Sequence, residues 1–529
     1  MANQLFPVLI DERHVFSLNS HFLPPGALRQ FCCFISLFFC LRRLRKKICL
    51  RPTTFLIKSK ASTLKLNFMT TYSSSCKNFF LPMFVFIILG VINFNCKKES
   101  APIKGDISPE MVLRWNEAAT YVVLQTQAAI PNPPIPPFIE SRYYAMVNVA
   151  MHDALNNITP KYKTLALQNA RDKDADPDAA VAQAAYDVIS FFFGKLNPPA
   201  LVTPQPVQDY INSLLTQSLS SITDGTAKTK GIALGHSSAQ AIIQNRSNDG
   251  IANVMFPVTE GTQPGQYRFE FPFTVPPFPL PPPFTGFYDS PGWGNVTTFG
   301  IQSSTQFAVP APYPVNSAGY TTDYNEVKTL GCVTCTGTDG RTQDQENIAK
   351  FWVESSPYGW NKVARAIIAQ KNMDAWKTAK ILALLQMTEA DAYIACLKAK
   401  MIYMCWRPVS AIHLGNTDGN PNTIGDPDWQ VLVFPTPPVA DHPSAHATAG
   451  GAAAELLKLV FEKDNFNFSL TSTTLPGETR NYTSLSQAAR ENSLSRIYVG
   501  YHFRKACIDG EALGKNIGGW NAANVLQEN

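Results

Sequence analysis

A chain of 529 residues, 45% hydrophobic and only 16% charged, is long enough for a large folded core and excludes a mainly disordered protein. Its formal net charge of +5 misleads, because residues 1–68 hold 11 Lys/Arg against only Asp11 and Glu12. The remaining 461 residues are mildly acidic, with 34 Lys/Arg against 38 Asp/Glu, which excludes a basic face for nucleic acid.

Residues 1–68 join an apolar, Cys-rich stretch at 31–40 to a basic run at 42–47, and read as doubtful upstream sequence before a start at Met69. Residues 69–96 have the shape of a secretory signal peptide: Lys77, an apolar run at 79–92, then Cys96. Cys96 and the polar Lys97-Lys98-Glu99-Ser100 resemble a bacterial lipobox, although Asn95 replaces the usual small residue. Cys96 is thus a candidate lipid anchor, with a plain cleaved signal or a signal anchor as alternatives. Beyond Ile92 no apolar run reaches about 18 residues, so the body is not expected to span a membrane. The expectation is an exported protein, periplasmic or held at the outer membrane or cell surface.

Helical spacing of Ala, Met, Val and Tyr covers residues 115–128 and 141–156. Asp176-Pro177-Asp178 is a helix start with cap, proline and acid in order, and the helix runs to about Phe193 before Gly194. Further helices are predicted at 206–220 and 226–245. Residues 263–316 are proline-dense, which excludes helix interior and central strand. The interleaved Phe, Tyr and Trp favour a long ordered loop packed on the body over a solvated linker.

Helices resume at 342–353, 360–370 and 374–406, then at 447–466, 484–499 and 509–524. No repeat, strand series or phosphate-binding glycine loop interrupts them, so the predicted fold class is all-α. Two halves are expected, an N-terminal helical half at 97–325 and a catalytic helical half at 326–529. Outside the leader and Cys96, five cysteines remain. Cys332-Val-Thr-Cys335 lacks the second pair a zinc site needs and reads as a small disulfide, with free thiols as the alternative. Cys396, Cys405 and Cys507 lie on apolar stretches and read as buried.

Three segments carry chemistry. Lys400 and Arg407 are seven residues apart, almost two helical turns, so both cations share a face that Pro408 then ends. The bland alternative is a snorkelling surface pair, which the apolar residues between them disfavour. Asp441-His442-Pro443-Ser444-Ala445-His446 runs into an Ala/Gly-rich helix, whose N-terminus is an anion site offering the Ser444 hydroxyl, the Ala445 N–H and the His446 ring. Simple capping by Ser444 with an exposed histidine is the alternative. Arg496 and His502 are six residues apart and would face differently on a continuous helix, but a break near Gly500 brings both to one pocket. Otherwise they are a surface arginine and a satisfied core histidine. Three cations, a serine and two histidines make a complete set for a tetrahedral oxyanion such as phosphate or vanadate.

Lys-x6-Arg-Pro, Pro-Ser-x-His and Ser-Arg-x5-His are similar to the signature motifs of the vanadium haloperoxidase and type 2 phosphatidic acid phosphatase superfamily. The segments 141–154, 293–299 and 341–352, with Trp360-Asn361, resemble its bacterial haloperoxidase-like branch. The resemblance implies helical bundles with long Pro-rich loops. It also implies vanadate as cofactor, with Lys400, Arg407 and Arg496 neutralising its oxygens and Ser444 and Ala445 completing the cradle. His502 is then the direct ligand and His446 the acid–base group, with peroxide and halide as small-molecule substrates. The alternatives are a secreted acid phosphatase, in which His502 attacks phosphorus and His446 protonates the leaving alcohol, and a non-catalytic phosphate-binding lipoprotein. Three departures matter. Ala445 stands in place of the usual glycine, Val439 in place of a Phe or His near the cofactor, and Ala506 in place of an acid that partners the metal-binding histidine. Asp509 is the candidate substitute for that acid.

Overall fold

The computed structural model describes residues 51–58, 63–70, 107–129, 135–194, 204–278 and 281–529. The signal-peptide reading falls almost entirely, and Cys96 entirely, outside the described residues. The chain divides into two units, Met1–Ala101 and Pro102–Asn529. In the first, β1 (Arg51–Lys58) and β2 (Thr63–Thr70) form an antiparallel pair that pairs Arg51 with Thr70 and Lys58 with Thr63.

The second unit is helical. Its first part holds α1 (Glu110–Ala129), α2 (Pro137–Ile158), α3 (Pro177–Gly194), α4 (Gln205–Ser220) and α5 (Thr226–Asn245). The α2 helix is buried almost from end to end, and several of its polar residues tie loops to it. The Asp153 carboxylate accepts from the N–H groups of Leu165, Ala166 and Leu167 at 3.0, 2.6 and 2.9 Å, and Arg142 pairs with Asp249 at 2.7 Å. The α6 helix (Ala318–Leu330) was not foreseen, because its apolar positions are few and only Ser317 signals its start, capping Tyr320.

The second part holds α7 (Gln343–Phe351), α8 (Ser356–Ile368), α9 (Ala375–Tyr403), α10 (Pro408–His413), α11 (Ala445–Val460), α12 (Leu485–Tyr498) and α13 (Arg504–Asn524). Between α11 and α12 lies a short antiparallel hairpin, β3 (Phe468–Thr471) and β4 (Thr479–Tyr482), which lays Phe468, Leu470 and Tyr482 into the core. Apart from these two hairpins, the described residues are helix and loop, so the all-α expectation holds. The 29-residue α9 is about 43 Å long and mostly buried, so it acts as the central post against which α2, α11 and α13 pack.

The α11 and α13 helices meet along small residues. A Cβ on Gly514 would sit 2.1 Å from the Thr448 carbonyl oxygen, and one on Gly510 would sit 2.7 Å from that of Ser444. Backbones approach this closely only where side chains are absent, and the contact fixes the N-terminal turn of α11 against α13.

The Pro-rich stretch is ordered loop, as expected. Tyr267, Tyr288 and Trp293 are buried in it, and Tyr267 N–H donates to the Met404 carbonyl at 2.8 Å. The buried Asp391 carboxylate of α9 takes the N–H groups of Phe299, Gly300 and Ile301 at 2.6, 2.8 and 3.0 Å. Cys332 and Cys335 form a disulfide, and Cys396, Cys405 and Cys507 are free and buried. Among the described residues, no helix is long and apolar enough to cross a membrane.

Candidate active site: a carbonyl-braced oxyanion pocket

Lys400 lies in the last turn of α9, fully buried, and its ammonium donates to the carbonyls of Ala440 and Asp441 at 2.5 and 2.9 Å. Burial, reinforced by the Arg407 charge, lowers its pKa to about 8. The helix does not continue to Arg407 as the spacing suggested. It ends at Tyr403, with Met404 in the left-handed region at φ 41° and its N–H returned to the Lys400 carbonyl at 2.8 Å. Arg407 is instead the N-cap of α10, and Pro408 begins that helix rather than ending the previous one. The two cations still converge, by a chain reversal instead of a shared helical face.

Arg407 is held by carbonyls, its Nε donating to Val439 at 2.7 Å and its Nη1 to Tyr501 at 2.8 Å. Arg496 donates from Nη2 to the Trp352 carbonyl at 2.6 Å and from Nε to Ser495 Oγ at 2.9 Å. Burial lowers the Arg496 pKa to about 10. Among the described residues none of these three cations forms an ion pair with a carboxylate.

Ser444 is the N-cap residue of α11, but its side chain caps nothing. Its N–H donates to the Ala506 carbonyl at 2.9 Å, while its Oγ is buried without a partner. Ala445 opens the helix, so its N–H belongs to the first turn, where no helix carbonyl can take it. His446 follows, with a half-buried ring whose Nε2 is shielded from solvent and has no partner. Burial and then the Arg496, Arg407 and Lys400 charges hold the His446 pKa well below its ordinary value. Capping by Ser444 with an exposed histidine is thereby excluded.

The break expected near Gly500 is present. The α12 helix ends at Tyr498, Gly500 has φ 86°, and the N–H groups of Tyr501 and His502 both return to the Arg496 carbonyl, at 3.0 and 3.2 Å. A Cβ on Gly500 would also sit 2.5 Å from the Gly331 carbonyl oxygen. Arg496 and His502 are thereby folded back onto one pocket.

His502 Nδ1 meets Asp441 Oδ1 at 2.8 Å, and its Nε2 meets Arg407 Nη1 at 2.9 Å. Burial, then the Arg407, Lys400 and Arg496 charges, depress the imidazole far below its usual range. The consistent arrangement is a neutral ring with its proton on Nδ1 toward Asp441 and the Nε2 lone pair facing the cations. Burial raises Asp441 to about 7, against the pull of Arg407 and Lys400.

The partner of His502 is therefore Asp441 and not Asp509. Asp509 pairs with Lys505 at 2.5 Å and lies 3.5 Å from His442 Nε2. At position 506 the backbone contributes, through its bond to Ser444, where the side chain does not. Asp441 stood in the Pro-Ser-x-His segment, but nothing local marked it as a partner for a residue 61 positions away. Two tyrosines were also missed. Tyr267 and Tyr288 pack against Val439 and Ala440, and the Tyr288 hydroxyl accepts the Ala440 N–H at 3.1 Å. Aromatic character absent at position 439 thus reaches this side of the pocket from the Pro-rich loop. Density of aromatics among those prolines was the available signal.

With this geometry in place, comparison with known proteins shows what the chain is similar to. Residues 380–528 match the family model of the VCPO second helical-bundle domain, a stretch that contains Lys400, Arg407, Asp441, Ser444, His446, Arg496 and His502. The vanadium chloroperoxidase of Curvularia inaequalis is 23% identical over 489 residues, covering 74% of this chain and 78% of that protein. The chain is similar to the vanadium haloperoxidases and shares their fold. Among solved structures, a bacterial vanadium-dependent iodoperoxidase superposes with a TM-score of 0.63 at 22% identity, covering 80% of this chain and 98% of that one. A holo-type bacterial vanadium-dependent chloroperoxidase follows with a TM-score of 0.58 at 15% identity, covering 74% and 92%. Such coverage reaches beyond the second bundle, so the fold this chain shares with those structures is not confined to residues 380–528. Those relatives are enzymes, peroxidases by name.

Proposed function

We propose that this chain is a vanadate-dependent haloperoxidase that oxidises halide with hydrogen peroxide in the pocket between α9, α11 and α12. The observation that carries the reading is His502, neutral, oriented by Asp441 at 2.8 Å, its Nε2 facing Arg407, Lys400 and Arg496, none of which is ion-paired to a carboxylate among the described residues. The donor set suits vanadate. Among the described residues Ser444 Oγ and His446 Nε2 are buried polar atoms without partners, and the α11 N-terminus adds free N–H groups.

Lys400, Arg407 and Arg496 would balance the charge of the oxyanion's oxygens. Ser444 Oγ and the Ala445 N–H would donate to those oxygens, and His502 Nε2 would give its lone pair as the direct ligand. Bound vanadate supplies a Lewis-acidic centre that activates peroxide toward halide. His446, kept neutral by burial and then by its cationic neighbours, can take the peroxide proton at Nε2 as a general base. Tyr267, Tyr288 and Val439 exclude water from one side, which strengthens every charge interaction inside.

Phosphomonoester hydrolysis is the second reading, favoured by the same Nε2 lone pair, which can attack phosphorus as well as bind a metal. A phosphate-binding protein without turnover is the third. One paired assay separates them. The purified chain is loaded with vanadate and given peroxide with iodide, bromide or chloride and a halogen-accepting dye, then tested on a phosphate ester without vanadate. Halogenation is expected; ester turnover alone would replace the leading reading with the phosphatase. Export with a lipid on Cys96 belongs to the same reading, and mass analysis of the mature N-terminus in a bacterial host tests it.

A further inference from the structure

Three consecutive residues connect the oxyanion pocket to the interior. The Glu354 backbone lies against the His446 ring, Ser355 Oγ donates to Glu140 Oε2 at 2.5 Å, and Ser356 lies beside the Tyr393 hydroxyl. Behind them two polar stripes face each other across the α2–α9 contact. On α2, Glu140, Tyr144 and Asn148 recur every four residues; on α9, Gln386, Glu389 and Tyr393 recur at three and four, so each set lies on one helix face. All six are buried, and Glu389 and Gln386 are fully so.

This seam is unusually rich in unsatisfied groups. Among the described residues, Tyr144 Oη, Asn361 Nδ2, Gln386 Oε1 and Glu389 Oε1 have no hydrogen-bond partner, and Ser356 Oγ and Tyr393 Oη lie side by side with no other partner. Buried polar atoms are nearly always paired with protein or ordered water, and orphans clustered in one polar seam are the setting in which internal water is retained. Both carboxyls are built to keep a proton. Burial raises Glu140 to about 8, with the Ser355 bond opposing and the Glu354 charge adding. Glu389 is raised well above its ordinary value by burial, against its Gln386 bond and with Glu140 nearby. The charged group nearest the far end of the seam is Arg365, which feels Glu117 and Tyr358, while Lys362 bonds Glu354 at 2.6 Å beside the pocket end. Glu117, whose charge Arg365 feels, is exposed. At the pocket end, Tyr393 lies close enough to Arg496 to act on its charge.

We propose that this seam is a water-lined proton path into the oxyanion pocket, in which Glu140 and Glu389 hold protons and Tyr393 hands them on. The need for it rests on the haloperoxidase reading. Halide, hydrogen peroxide and one proton give hypohalous acid and water; the O–O bond breaks, an oxygen–halogen bond forms, and the second oxygen leaves as water with the added proton. Halide is oxidised and peroxide reduced, so each turnover draws one proton into a pocket already crowded with cations. Protons arriving through neutral carboxyls and hydroxyls avoid adding a mobile ion there. At each hop a carboxyl or hydroxyl O–H breaks as its neighbour's forms, and the outer end is refilled from solvent.

Infrared spectroscopy of the purified full chain tests the path without requiring activity. At neutral pH a carboxylic C=O stretch is expected, diminished in Glu389→Gln and in Glu140→Gln. It should shift within minutes of transfer to D2O, because a water-lined seam exchanges without unfolding. A missing carboxylic band at neutral pH, or one that resists exchange for as long as the slowest core amides, overturns the proposal. In turnover, Glu389→Gln is expected to lower kcat for halide oxidation about tenfold or more, with KM for peroxide nearly unchanged. Unchanged kcat in that variant also overturns the path. Should the wild-type chain halogenate nothing, the haloperoxidase reading fails, and the infrared result alone still decides whether the seam holds exchangeable protons.

Discussion

His502 and Asp441 are 61 residues apart in the chain and meet at 2.8 Å, Nδ1 to Oδ1, inside a pocket that also gathers Lys400, Arg407 and Arg496. That contact fixes which imidazole nitrogen keeps the proton and which offers a lone pair. Asp441→Asn should therefore lower vanadate-dependent activity and oxyanion affinity about 10- to 100-fold, as partners of ligand histidines do elsewhere. Asp509→Asn should leave oxyanion affinity nearly unchanged, since its side chain bonds Lys505. Calorimetric titration of both variants checks the contrast, and a reversed order would return the partner role to Asp509.

Ser444 offers a cleaner separation of stability from binding. Its hydroxyl makes no cap and has no protein partner, so Ser444→Ala should leave Tm in anion-free buffer unchanged or slightly higher. Phosphate affinity should fall by about 1.5–3 kcal/mol, the worth of a lost hydrogen bond to a charged group. A lower Tm with intact affinity would mean that the hydroxyl serves the fold.

Lys400 sets a pH dependence. Its pKa in the folded chain is lowered from 10.5 to about 8, so the folded state disfavours its charge, and stability from this residue falls as pH drops from above 10 toward 8. A bound oxyanion favours the charged form. Phosphate affinity should thus be highest below pH 8 and decline as pH rises through about 8 and Lys400 deprotonates. In Lys400→Met that decline should disappear, with weaker binding throughout; a persistent decline would assign it to another group.

Gly500 combines a positive φ of 86° with backbone contact to Gly331. Gly500→Ala should destabilise the chain by about 1–3 kcal/mol and displace His502, seen as a lower Tm and weaker oxyanion binding together. An unchanged Tm would show that the loop relaxes freely.

The sequence announced the pocket more clearly than its construction. Lys400, Arg407, Ser444, His446, Arg496 and His502 were legible because each pair sits at a short, fixed spacing, and Gly500 marked the turn between the last two. The chain reversal at Met404 was not legible, since a methionine in left-handed conformation carries no glycine or asparagine signal. Asp441 and the two tyrosines were hidden for another reason. Their partners are remote in sequence, and only tertiary packing brings Tyr288 to Ala440 or Asp441 to His502. The β3–β4 hairpin escaped because four-residue strands are too short to establish alternation.

Bracing the pocket's cations on main-chain oxygens has a practical corollary at the bench. An arginine locked to a carboxylate must be prised free before it can greet a guest, whereas here the positive field stands ready and indiscriminate. Sulfate, phosphate and vanadate should all compete for the same cradle. Buffer choice during purification thus sets the starting state of the enzyme, and material prepared in phosphate should respond sluggishly to added vanadate until it has been dialysed into an amine buffer with chloride kept low.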